Sequence, residues 1–216
     1  VKMNRVSSKS SARGNQVSAA AQADLQHWSE LAHRAATVLL ADPSIAELRC
    51  EWPTVEWTDR FGEVRTHRFD YYAFHRDGTE TAYNVKHWHD REGVRALFDG
   101  LGTGLGFRLA WVHEGLATPG RAANARCILK ARQNDNHEDY VTALKSLMDV
   151  HGRVYVHRLL ERAPNEADRR EAIYSLIDRG VLEIVRPLER LADYSFVTVN
   201  RPVLEQELHR HVPTAA

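Results

Sequence analysis

The sequence predicts a mixed α/β unit followed by a smaller unit of helices and a strand pair. Three observations carry this. Amphipathic helical patterns bracket several short strand-like runs in the first 135 residues. Asp77-Gly78 sits between two of those runs, and this residue pair favours a tight antiparallel hairpin. From residue 136 onward helical periodicity dominates, and only two short strand-like runs remain.

Composition sets the outer limits. The 216 residues suffice for one large domain, or for a medium domain and a small one, and 43% apolar residues can fill a core. Lys plus Arg and Asp plus Glu are 29 each, so the formal net charge is zero. Strong overall basicity is absent, which leaves nucleic-acid binding to local fields. The two cysteines, Cys50 and Cys127, are far apart and lack metal-ligand spacing, so reduced thiols are expected. No run has the apolar length of a signal peptide or a membrane span, and the expectation is a soluble, cytoplasmic protein.

Residues 1–20 are Ser-rich, basic and poor in large apolar groups. They read as a flexible arm, because they bury too little to offset the entropy of ordering. From Gln22 to Ala41, Leu25, Trp28, Leu31, Ala32, Ala35, Val38 and Leu39 recur at helical steps, and Asp42-Pro43 ends the pattern. Glu30 lies inside this predicted helix. Ile45 to Trp57 reads as one or two strands around Trp52-Pro53, and Asp59 to Gly62 as a turn.

Residues 63–88 then read as two strands joined at His75-Arg76-Asp77-Gly78. Asp70 is on the first strand, with Asn84 and Lys86 on one face of the second. A helix over residues 90–100 follows. The glycine-rich run 100–106 lacks the Lys and Ser/Thr of a phosphate loop and reads as a connector. Phe107 to His113 is apolar enough for a central strand, and residues 121–133 form another helix. The polar segment Arg132 to His137 is taken as the domain boundary, separating residues 21–135 from 136–216.

Beyond it, helices are expected over Glu138–Val150, Val154–Arg162 and Glu166–Arg179, and strands over Leu182–Val185 and Tyr194–Val199. Three helices and a two-stranded wing make a winged helix-turn-helix. The third helix carries Arg169, Arg170 and Arg179 against Glu166, Asp168, Glu171 and Asp178. That near balance weighs docking of a protein ahead of reading a DNA groove.

An acid, an amide oxygen and a lysine on adjoining strands are the parts of a metal-dependent phosphodiesterase. Mg2+ takes oxygen ligands and keeps several waters. Asp70, the Asn84 amide oxygen and the Val85 backbone carbonyl are candidate ligands, and Glu30 is a second carboxylate if its helix packs across the sheet edge. Lys86 is suited to steer the attacking water or to offset charge in the transition state. His87-Trp88-His89-Asp90 looks like a zinc cluster, but in a strand its histidines point away from Lys86, and no further ligands complete it. Trp52, Trp57, Trp88 and Trp111 are assigned to packing.

The run from Ser29 to Lys86 resembles the TnsA family, the restriction-endonuclease-like subunit of heteromeric transposases. The pieces that carry the resemblance are Ser29-Glu30-Leu31, then ADPSIAELRCEWPTVEW and HRFDYYAFHRDGTETAYNVK. After them, FRLAWVHEG and RAANARCILKARQ look like the family's closing elements, and the winged-helix tail looks like its second domain. The resemblance implies a restriction-endonuclease-like mixed sheet flanked by helices. Glu30 and Asp70 would be metal ligands and Lys86 the catalytic lysine, with Mg2+ as cofactor and Mn2+ as substitute. The activity implied is cleavage of the 5′ strand at transposon ends, beside a partner transposase. The C-terminal domain would contact an AAA-type transposition ATPase regulator. This family commonly has glutamine where Asn84 stands, and the wider superfamily often has proline where Phe69 stands. The alternative is therefore a catalytically impaired subunit that keeps the nuclease fold as a DNA- or protein-binding component. A winged-helix transcription regulator with an unrelated ligand domain is the weaker third reading.

Overall fold

The computed structural model describes residues 14–17, 24–27, 29–134, 136–161 and 163–212. The described chain divides into two compact units. One takes the chain up to Leu40 together with Ser44–Ala117, the other Ala41–Pro43 with the chain from Thr118 onward. Among the described residues no helix is long and apolar enough to cross a membrane.

The first unit is mixed α/β. Short strands β1 (Gly14–Val17) and β2 (Asp24–His27) pair antiparallel. This corrects two expectations. Part of the predicted arm is a strand, and the helix expected from Gln22 starts later, as α1 (Glu30–Ala41). The local cause is Ser29, whose Oγ accepts from the Ala32 N–H and caps the helix there. The rest of the predicted arm, and Trp28, lie outside the described residues.

Strands β3 (Ile45–Cys50), β6 (Tyr71–His75), β7 (Glu80–Val85) and β8 (Arg108–Val112) form one sheet in the order β3-β6-β7-β8. The first three are antiparallel neighbours, and β8 runs parallel to β7. That parallel step requires a crossover, which α2 (Arg91–Leu101) supplies. One sheet face carries Tyr71, whose hydroxyl donates to the Ala32 carbonyl of α1. The other carries Tyr72 and Ala82, packed with Phe69, Phe98 and Leu101. Each face thus meets a helix.

The predicted single strand from residue 63 is broken. Its first part, β5 (Val64–Arg68), pairs with β4 (Thr54–Thr58) in a separate two-stranded ribbon, and only from Tyr71 does the chain enter the sheet. Phe69 and Asp70 occupy the break. Phe69 N–H donates to the Pro53 carbonyl, and Asp70 N–H to that of Tyr83. Gly100 serves packing: a Cβ there would lie 2.8 Å from Nε1 of Trp57.

The second unit begins earlier than the boundary expected at residues 132–137. Helix α3 (Pro119–Gln133) belongs to it. Ile128 and Ala131 join the apolar cluster that contains Ala172, Ile173 and Leu176, and Lys130 and Arg132 pair with Glu171 and Asp178. The polar segment that suggested a boundary instead holds the end of α3 and the start of the next helix. Its Asn136 Oδ1 accepts from Asp139 N–H and caps the next helix. There follow α4 (His137–Ser146), β9 (Arg153–Tyr155), α5 (Val156–Leu160), α6 (Glu166–Asp178), β10 (Leu182–Ile184), β11 (Phe196–Val199) and α7 (Arg201–His211). The second unit's sheet has three strands, ordered β10-β11-β9, because residues 153–155 pair with β11 before their chain turns helical. Strand β9 and helix α7 were not expected from the sequence.

Phe69 is fully buried, edge-on to His67 and Phe107. Phe69→Ala is expected to destabilise the first unit by about 3–5 kcal/mol, the cost of an uncollapsed aromatic cavity, as read by urea unfolding. A loss near zero would mean that the break between β5 and β6 is held by its backbone bonds alone.

Candidate metal site

Three of the sequence-predicted residues meet at one end of one sheet face. Tyr72 and Ala82 are register partners, so residues of even number on β6 and β7 share their face. Asp70 precedes Tyr71 by one residue and Asn84 follows its partner Tyr83 by one, which sets them side by side. Lys86 continues along the same face. Its N–H donates to the Val112 carbonyl, and its own carbonyl accepts from Nε1 of Trp111. Both sides of the lysine backbone are therefore fixed to β8, while the residue itself is exposed.

The Asp70 carboxylate is anchored, since Oδ2 accepts from the Val85 N–H at 2.7 Å. Burial pushes its pKa above the ordinary carboxylate value. The Val85 N–H and the Lys86 charge pull it down, and the charge of Glu51 raises it. A carboxylate taken out of water without full compensation is poised to take up a cation. Asn84 is buried at 2% exposure, and its Oδ1 has no hydrogen-bond partner among the described residues. An orphaned buried acceptor is costly, and a ligand at that oxygen would offset the cost. Val85 contributes its N–H to Asp70 and sits opposite Val112 in the parallel ladder.

Glu30 is placed differently. It opens α1, where the helix dipole favours a carboxylate, with its side chain 72% exposed and 3.7 Å from Nε of Arg34. Its helix is tied to the Tyr71 face of the sheet, whereas alternation along β7 carries Asn84 and Lys86 on the Ala82 face. A second carboxylate is supplied from a position the sequence did not single out. Glu51 follows β3 directly, its N–H donates to the Asp70 carbonyl, and its charge acts on the Asp70 carboxyl. It adopts φ of 51°, the left-handed region that costs a side-chain-bearing residue on the order of 1–2 kcal/mol. Such strain concentrates at functional positions. Arg68 Nη2 lies 3.4 Å from its carboxylate. The signal in the sequence was faint, an acid directly before Trp52-Pro53 at a strand end.

His67 also borders the site. Burial first, and the field of Lys86 second, lower its pKa, so its ring is held neutral, and its buried Nε2 has no hydrogen-bond partner among the described residues. The His87-Trp88-His89-Asp90 segment does not continue the strand as expected. Trp88–Asp90 form a 3-10 turn, where the rings of His87 and His89 stack at 5.5 Å. Glu114 accepts from Trp88 N–H and lies 3.4 Å from His87 Nδ1.

Among the described residues no group of three or more His, Cys, Asp and Glu side chains is placed to hold a metal ion. The donors at this site are two carboxylates and one amide oxygen. That set suits a hard cation which keeps much of its water, and it does not suit zinc. No family model matches the chain, and no curated protein matches it.

Because Asp70 carries a raised pKa in the folded state, the native protein binds its proton more tightly than the unfolded chain does. Stability therefore falls as pH rises from the ordinary carboxylate pKa through the raised value. In metal-free buffer, Asp70→Asn is expected to raise Tm at neutral pH and to lose that advantage in acid. Equal melting at neutral pH would show that Val85 and Lys86 already balance the burial.

Proposed function

We propose that the protein is a metal-dependent DNA endonuclease with a restriction-endonuclease-like first unit, acting as the TnsA-like subunit of a heteromeric transposase. The observation that carries the reading is the joint placement of Asp70, Asn84 and Lys86 at one end of the sheet, with the Asp70 carboxylate pinned and the Asn84 oxygen lacking a partner among the described residues. The element order α1-β3-β6-β7-α2-β8, with an antiparallel meander and a final parallel strand, supports the nuclease fold. The order α4-β9-α5-α6-β10-β11 supports a winged helix in the second unit.

In this reading Asp70, Asn84 and Glu51 hold the cation, with the Val85 carbonyl as a further oxygen. Bound Mg2+, or Mn2+ in its place, supplies Lewis acidity toward a phosphate oxygen and lowers the pKa of a bound water. The chain's own residues do the remaining work. Lys86 places a mobile ammonium beside the carboxylates, suited to offset negative charge as the phosphate becomes five-coordinate. Val85 N–H keeps the Asp70 carboxylate from rotating away. Neutral His67 places an unprotonated imidazole near Lys86, where it can accept a proton. The resemblance assigned the second carboxylate to Glu30, whereas the geometry favours Glu51.

The docking role of the C-terminal unit is supported by α6. From Asp168 to Asp178 none of its residues is exposed, and Arg170, Glu171 and Asp178 are bound within the unit. A helix so covered is a poor groove reader. An AAA-type transposition ATPase regulator is the partner proposed for this unit. Asn84, whose neutral amide is one methylene shorter than glutamine, favours the second reading of an impaired nuclease that serves as a binding subunit.

A nicking assay with transposon-end DNA, the partner transposase and Mg2+ or Mn2+ tests the proposal. Asp70→Ala and Lys86→Ala should each lower 5′-strand cleavage by about a hundredfold or more. Glu51→Ala should match them while Glu30→Ala cuts nearly as wild type. Undiminished cutting by the Asp70 and Lys86 variants removes the site from the mechanism, and the reverse order of the two glutamates returns the metal to α1.

A further inference from the structure

The outer face of the wing is an uncovered aromatic platform rimmed by arginines. Alternation along β9 turns Val154 inward to the apolar cluster and leaves Arg153 and Tyr155 outside. Phe196 of β11 is the register partner of Tyr155, and their ring centroids are 3.8 Å apart. Tyr194, in the loop before β11, is 84% exposed. These rings line one concavity of about 660 Å³ with Arg153, Arg186 and Arg190. The one lining carboxylate, Glu189, lies 3.5 Å from Arg186. Arg153 and Arg190 have no carboxylate partner among the described residues, so the platform carries uncompensated positive charge.

The loop that presents these groups is held in shape. Asn124, buried on α3, donates from Nδ2 to the Glu189 carbonyl and accepts at Oδ1 from the Leu191 N–H, both at 2.8 Å. Gly120 admits the same loop, for a Cβ there would lie 2.4 Å from the Arg190 nitrogen. A rigid loop loses little entropy on binding.

We infer that this platform binds single-stranded nucleic acid, with bases laid on Tyr155, Phe196 and Tyr194 and phosphates on the arginines. Ring faces beside guanidinium groups are the combination that unpaired bases require; Tyr194 offers the freest ring here, while Tyr155 and Phe196 cover one face of each other and keep their outer sides partly exposed. An intact duplex keeps its bases stacked inside and cannot use the rings. An acidic peptide would use the arginines but leaves the aromatic faces without a partner. The site lies wholly in the second unit and is independent of the metal-site reading.

Fluorescence anisotropy of the full-length chain with a labelled oligothymidylate tests this. Binding is expected to weaken steeply with salt, and Tyr194→Ala and Phe196→Ala should each weaken it about tenfold. Arg186→Glu should weaken it and flatten its salt dependence. Tyr194 is almost wholly exposed, so that variant keeps its fold. Wild-type affinity in Tyr194→Ala, or competition by blunt duplex or by a glutamate-rich peptide as effective as that by the single strand, would overturn the inference.

Discussion

The bond from the Val85 N–H to the Asp70 carboxylate is the constraint on which the candidate site depends. It joins the break between β5 and β6 to the last residue of β7. A carboxylate at that point is mostly buried, and burial raises its pKa. One backbone donor and one nearby ammonium compensate it in part. The remaining deficit sets a stability cost on the folded protein, and under the proposed function a bound cation would relieve it.

That carboxylate is in place because the chain changes partners at Phe69. The β4–β5 ribbon leaves the sheet, Phe69 is drawn into the core between them, and Asp70 emerges beside the ends of β3 and β7. Glu51 reaches the same place from β3 through a left-handed backbone turn. Two strand ends, each departing from regular geometry, thus present their carboxylates together. Lys86, by contrast, stays regular, with its backbone held on β8 through Val112 and Trp111.

The second unit solves a different problem. Its helix α6 packs against α3, α4 and α5, so its Arg170, Glu171 and Asp178 are spent on internal pairs. The exposed rings lie instead on the three-stranded sheet, where alternation turns rings and an arginine outward. Asn124 and Gly120 of α3 fix the loop before β11, so the helix that covers α6 also shapes this surface.

The sequence by itself determined the alternation of Asn84 and Lys86 on one face, the Asp-Gly turn and the α/β order, because these depend on local periodicity and turn chemistry. It also held the helices α3 and α6, whose repeats are long enough to read. The tertiary structure alone decided that the strand from residue 63 breaks at Asp70, that Glu51 joins the site, and that α3 belongs to the second unit. Each of these depends on which distant surface a segment packs against. Local pattern is silent on that, as a hydrophobic face states that burial occurs but not against what. The same holds for Glu30: its helix is legible in the residues, but the sheet face it covers is seen only in the packing, where the Tyr71 hydroxyl reaches a carbonyl 39 positions away.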